Sequence, residues 1–119
     1  MSRPRKCRKV CSMPKVCEFA PVGSVHGFIT LTVDEYESIR LIDKQGFSQE
    51  ECAAYMQVAR TTAQQIYNTA RSKIATALVD GFGIRIAGGE YRLCDGKEAC
   101  CKCGGCRIHA QNSYKEKKQ

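Results

Sequence analysis

The stretch Ser48-Gln-Glu-Glu-Cys-Ala-Ala-Tyr-Met-Gln-Val-Ala-Arg-Thr-Thr-Ala-Gln-Gln-Ile-Tyr67 decides the fold. It opens on a serine with Glu51 three residues later. That is a capping box, in which each side chain covers an orphan backbone N–H at a helix start. Cys52, Ala53, Tyr55 and Met56 are the inward positions of the short helix so begun, and Gln57-Val58-Ala59 breaks it. A longer helix is expected from Arg60 to Val79, ending at Gly81. Its apolar positions, Ala63, Ile66, Tyr67, Ala70, Ile74, Ala77 and Leu78, recur at spacings of three and four. Two helices joined by so short a turn, the second longer and polar on its free face, have the form of a helix-turn-helix. Ala53 lets the helices approach, and Val58 plugs the space between them.

A second capping box stands upstream, Thr32 with Glu35, ahead of an apolar stripe at Val33, Tyr36, Ile39 and Ile42. Asp34, Glu35 and Glu37 sit near the positive end of that helix's dipole. Gly46 supplies the left-handed conformation that stops it. Residues 31–81 are therefore expected to form one helical domain.

The free face of the last helix carries Arg60, Thr61, Thr62, Gln64, Gln65, Asn68 and Arg71. These side chains bond phosphates and base edges: Gln and Asn can meet adenine bidentately, Arg guanine, and a Thr methyl thymine. A three-helix bundle with a solvated polar face is the plainer explanation of such a pattern. Charge segregation favours nucleic acid, because no acidic residue occurs from Arg60 through Val79 while the earlier helices hold the acids.

The runs Leu31-Thr-Val-Asp-Glu-Tyr-Glu-Ser-Ile-Arg-Leu-Ile-Asp43, Gly46-Phe-Ser-Gln-Glu-Glu-Cys-Ala-Ala54 and Val58-Ala-Arg-Thr-Thr62 resemble an uncharacterised family of small predicted DNA-binding proteins. Its helix-turn-helix is similar to region 4 of sigma factors. The likeness covers most of residues 1–93, including the Arg-Pro-Arg-Lys start and the Gly88-Gly89 pair. By this resemblance the recognition helix begins at Arg60, Thr61 and Thr62. Two positions depart from the sigma pattern: Gln57 where a glycine usually precedes the turn valine, and Ala59 where serine usually caps the recognition helix. An alanine cap forfeits about 1 kcal/mol. No other sigma-factor region fits in this length.

Downstream the period changes. Ile84-Arg85-Ile86-Ala87, Gly88-Gly89 and Glu90-Tyr91-Arg92-Leu93 predict a two-residue β-hairpin over residues 82–94, since Gly-Gly accepts the positive φ of tight turns. That pairing sets Arg85 opposite Arg92, unfavourably unless an anion lies near. The hairpin is thus expected to be a wing whose arginines meet the phosphate backbone, or an apolar hairpin closing the core or a homodimer interface. Residues 1–30 hold all three prolines and no helical period, and read as an extended arm. The arm carries Arg3, Arg5, Lys6, Arg8, Lys9 and Lys15 before the first acid, Glu18, so the formal charge of +7 is concentrated there. Arg3 and Arg5 suit a minor groove.

Residues 95–119 form a cysteine-rich tail with a lysine-rich end. Of nine cysteines, Cys94, Cys100, Cys101, Cys103 and Cys106 crowd this region, and Cys7, Cys11 and Cys17 lie near the other end. An odd, clustered count favours metal or redox chemistry in a reducing compartment over a disulfide framework. Cys103-Gly-Gly-Cys106 lets two sulfurs face one metal. Zn²⁺ wants four ligands, which Cys94, Cys101 or Cys100, Cys103 and Cys106 could supply, or an arm cysteine could complete. An iron–sulfur cluster uses the same donors and stays open, as does a thiol redox switch.

With 119 residues there is room for one compact domain with appendages. No segment approaches a membrane span or a signal peptide, so a cytoplasmic protein is expected. No phosphate loop, paired carboxylates or nucleophile arrangement suggests an enzyme. The chain is read as mainly α: a helix-turn-helix with a winged-type β-hairpin after it and a metal-binding tail. It is expected to regulate transcription on double-stranded DNA. A metal-binding adaptor that docks on a transcription or metallocluster-assembly protein is the rival.

Overall fold

The computed structural model describes residues 8–93. Its elements in chain order are β1 (Arg8–Val10), β2 (Glu18–Phe19), β3 (Phe28–Leu31), α1 (Val33–Ile39), a π-helical turn (Arg40–Lys44), α2 (Gln49–Met56), α3 (Arg60–Asp80), β4 (Gly83–Ile86) and β5 (Tyr91–Leu93).

Both capping boxes form. The Thr32 hydroxyl accepts from the Glu35 amide at 3.4 Å, and the Thr32 amide donates to Glu35 Oε1 at 3.0 Å. Ser48 and Glu51 exchange bonds of 3.0 and 2.8 Å in the same way. The first helix does not run regularly to its end. It widens into the π-helical turn, where the Gln45 amide reaches back five residues to the Arg40 carbonyl at 2.9 Å. α2 stops at Gln57, which takes the left-handed conformation (φ 62, ψ 47), and α3 stops at Gly81 (φ 79).

Three helices packed with two small sheets make the chain α/β, a correction to the mainly α expectation. The strands are two to four residues long, too short to show an alternating pattern in sequence. In one sheet β4 lies centrally, antiparallel to β2 and parallel to β3. A parallel pair needs a long crossover, and α1 to α3 are that crossover between β3 and β4. In the other sheet β1 pairs in parallel with β5, matching Arg8 with Tyr91, Lys9 with Arg92 and Val10 with Leu93.

The expected hairpin does not form. Both edges of β4 are taken by β2 and β3, so β5 pairs elsewhere. The two arginines are accordingly not neighbours, which removes the repulsion that the hairpin would have imposed. Gly88 and Gly89 instead lie over the start of α1, where the Gly88 carbonyl accepts from the Val33 amide at 3.0 Å. Gly89 has φ 97, and a β-carbon there would run into the Asp34 carboxylate and Thr32.

Within the segment read as an extended arm, residues 8–11 are built into the fold, whereas residues 15–20 and 22–26 are exposed. Val10 and Lys9 are fully buried, and the Lys9 ammonium stands 4.4 Å from the centre of the Tyr55 ring. Arg8 bonds Asp34 at 3.2 Å and pairs with Glu90 at 3.5 Å. The Cys11 amide donates to Glu37 Oε2 at 3.0 Å, and Glu37, buried, holds Arg40 through two bonds of 2.8 Å. Burial alone would lower the Arg40 pKa, but the hydrogen bonds and charge of Glu37 outweigh it and hold it above its usual value.

The core has two parts. Cys11, Leu41, Cys52, Tyr55 and Met56 pack together with Val58 and Phe47 against them. Val10, Leu31, Val33, Ala70 and Ile86 form the second, flanked by Tyr36, Ile39 and Ile74. Cys52 is a small core side chain 3.8 Å from the Met56 sulfur, and burial pushes its thiol up to about 12. Leu78, expected inward, is exposed.

Candidate nucleic-acid interface

The connection between α2 and α3 is three residues, 57–59, and it sets one face of α3 free. The left-handed turn at Gln57 redirects the chain, and Val58 returns to the core. Ala59 then precedes α3 without any side-chain bond to the helix start. The first-turn amides therefore lack a side-chain cap, and no acid lies in that turn.

On α3 the buried positions are Ala63, Ile66, Tyr67, Ala70 and Ala77. Arg60, Thr61, Gln64, Gln65, Asn68 and Arg71 are exposed and Thr62 is half-buried. The expected reading residues thus share the side of the helix away from the core. Arg71 is not independent: its guanidinium donates to the Tyr67 hydroxyl at 3.0 Å and lies 3.9 Å from Asp43. Tyr67 in turn donates to Asp43 Oδ1 at 2.7 Å. Burial and the Asp43 bond raise the Tyr67 phenol above its ordinary pKa, with Arg71 opposing them. Lys73 reaches Glu35 at 2.7 Å. Together these bonds fix α3 against α1 and the π-helical turn.

Arg92 and Arg85 face different surroundings. Arg92 donates to the Gln57 side chain at 2.6 Å, which places it beside the α2–α3 connection. Arg85 pairs with Glu18 at 2.9 Å and lies 4.2 Å from the centre of the Phe28 ring. Arg3 and Arg5, and the expected metal ligands Cys94, Cys100, Cys101, Cys103 and Cys106, fall outside the described residues. Among the described residues no group of three or more His, Cys, Asp or Glu side chains is arranged to hold a metal ion. No helix among them is long and apolar enough to cross a membrane.

Sequence reasoning missed the Asp43–Tyr67–Arg71 network and the Arg92–Gln57 contact. Their partners stand 24 and 35 residues apart, and no local pattern signals them. The one available hint was Gln57 itself, at a position where sigma-like motifs carry glycine.

Residues 1–94 match the family described as a protein of unknown function, DUF134. A UPF0251 protein of Desulfitobacterium hafniense (strain DSM 10664 / DCB-2) is 57% identical over 99 residues, covering 81% of this chain and 79% of the relative. Another from Thermoanaerobacter pseudethanolicus is 52% identical over 98 residues, covering 80% of this chain and 83% of its own. One from Caldicellulosiruptor saccharolyticus is 47% identical over 104 residues, covering 87% and 75%. No solved structure matches the chain. The chain belongs to the DUF134 family, whose relatives here are UPF0251 proteins.

Proposed function

We propose that this protein binds double-stranded DNA sequence-specifically and regulates transcription, using α2 and α3 as a helix-turn-helix similar to that of sigma factor region 4. In this reading α2 braces α3, whose amino-terminal half lies in the major groove. The observation that carries it is the exposed side of α3, where Arg60, Thr61, Gln64, Gln65 and Asn68 stand clear of the core beside a three-residue connection. Uncapped amides at the start of α3 add donors suited to a backbone phosphate. Gln64, Gln65 and Asn68 read bases, and Arg60 and Arg92 grip phosphates. The tail cysteines hold a metal, zinc rather than an iron–sulfur cluster, in a structural or sensing role.

Selection of bound fragments from a random DNA pool tests the reading. A consensus sequence, lost when Gln64 and Asn68 are replaced by alanine, is the expected result. Two-fold symmetric half-sites about one helical turn apart would mark a homodimer. Recovery without a consensus overturns the reading in favour of an adaptor that docks on another protein.

A further inference from the structure

We propose that the apolar groove at the carboxy-terminal end of α3 is the contact through which two copies of this chain pair about a two-fold axis. The pairing stands without DNA recognition, and it deepens that reading by setting how far apart two reading helices lie. Gly81, in the left-handed conformation, ends α3, and the Phe82 amide turns back to the Ala77 carbonyl at 3.0 Å. The chain then enters β4, whose antiparallel partner β2 ends at Phe19. Between helix and strands lies an open groove of about 370 Å³ whose walls include Phe19, Ile74, Leu78, Phe82 and Ile84. Leu78 is 81% exposed and Phe19 54%, and Val22, three residues beyond Phe19, is fully exposed.

Shape, area and charge all fit a second copy as the occupant. Projecting side chains and the groove share one patch, so each copy can offer a ridge to the other's groove, as a self-complementary two-fold contact requires. Fully burying an aliphatic or aromatic side chain removes about 60–120 Å² of apolar surface from water, so Leu78, Phe19 and Val22 leave roughly 150–300 Å² on each copy. Ile74, Phe82 and Ile84, each partly exposed, add to that. A standard interface takes about 800 Å² from each partner, a little over half of it apolar, and the patch supplies about half or more of that apolar share. No residue lining the groove is charged. Copies of a chain with formal charge +7 repel one another, and here they can meet without setting like charges together. The spacing suits paired reading helices as well. Leu78 lies about fourteen residues, or about 21 Å, beyond Gln64, the middle of the reading half of α3. Two copies joined there hold their reading halves about 42 Å apart when the helices are collinear, and nearer when they are inclined. Half-sites one helical turn apart need about 34 Å.

Sedimentation equilibrium of the reduced full-length protein, from about one micromolar to about one millimolar, tests the pairing. The wild type is expected to pass from monomer to dimer. Leu78→Lys is expected to weaken that association about a hundredfold, tenfold for each of two symmetric positions, and to keep its helical far-ultraviolet spectrum, since Leu78 packs against nothing that the single copy needs. Val79→Lys is the control: it adds the same charge at an equally exposed position about 100° around α3, and association is expected to be unchanged. Equal weakening by both variants traces the effect to net charge and overturns the assignment of the groove. A wild type that stays monomeric throughout also overturns the proposal, and a loss of monomer stability in Leu78→Lys would then show the groove filled from within its own chain. A dimer that Leu78→Lys breaks, but that selects no DNA sequence, upholds the interface and removes the DNA reading instead.

Discussion

Gln57 carries a conformational cost that its neighbours do not. In the left-handed region a β-carbon crowds the following carbonyl, at about 1–2 kcal/mol for a residue other than glycine. What opposes that cost is the bond from Arg92 to Gln57 Oε1, an exposed contact, and exposed bonds contribute little net stability. Gln57→Gly is therefore expected to raise stability by about 1 kcal/mol, read as a higher urea midpoint at constant slope. A lower midpoint would show that the Arg92 contact outweighs the strain. Ala59 is the complementary case. It has the extended conformation of a helix cap (φ −66, ψ 152) but no side-chain acceptor. Ala59→Ser is expected to add about 1 kcal/mol by the same assay. If the start of α3 meets a phosphate, the new hydroxyl competes for those amides, so the stabilised variant should bind DNA no better than the wild type.

At the scale of elements, β1 and α1 are joined through a buried charge. Glu37 accepts from the Cys11 amide and from Arg40, and both charged side chains are at most 5% exposed. Glu37→Gln leaves the Arg40 charge inside without its counter-ion, and a loss of about 3–5 kcal/mol is expected in equilibrium unfolding. Replacing the pair together, Glu37→Leu with Arg40→Met, should restore part of that loss but not all, because the Cys11 amide still lacks its acceptor. This junction also marks the boundary of what sequence could reveal. Helix starts and stops were legible because Thr32, Glu35, Ser48, Glu51 and Gly81 act on backbone within four residues of themselves. The inward positions Cys52, Ala53, Tyr55 and Met56 followed from spacing in the same way. Strand pairing was not legible. Glu18 meets Arg85 across 67 residues, and two-residue strands carry no period. The Gly-Gly pair misled because its permissive backbone serves a turn and a close approach to Asp34 equally well.

At the scale of the whole molecule, the question is which of its positive charges face a polyanion. Formal charge places most of the excess in the first fifteen residues, yet Lys9 is buried over Tyr55, and Arg8 is paired with Asp34 and Glu90. Neither can neutralise a phosphate without leaving the fold. The two arginines once expected on a single wing are likewise separated. Arg85 faces Glu18 at 2.9 Å, so moving it to a phosphate would strand a carboxylate near the DNA. Arg92 is bonded to the Gln57 side chain beside the start of α3, where the proposed reading sets the DNA backbone. Each phosphate contact contributes about 0.9 to the slope of log affinity against log salt. Arg92→Gln is accordingly expected to lower that slope by about 1, whereas Arg85→Gln should leave it unchanged. Measuring both single variants on the selected DNA sequence, across a salt series, separates the two positions. Equal slopes for all three proteins would remove Arg92 from the interface and confine DNA contact to α3 and the residues before Arg8. A lowered slope for Arg85→Gln alone would put the DNA against the β2–β4 pair, and α3 would then no longer be the reading element.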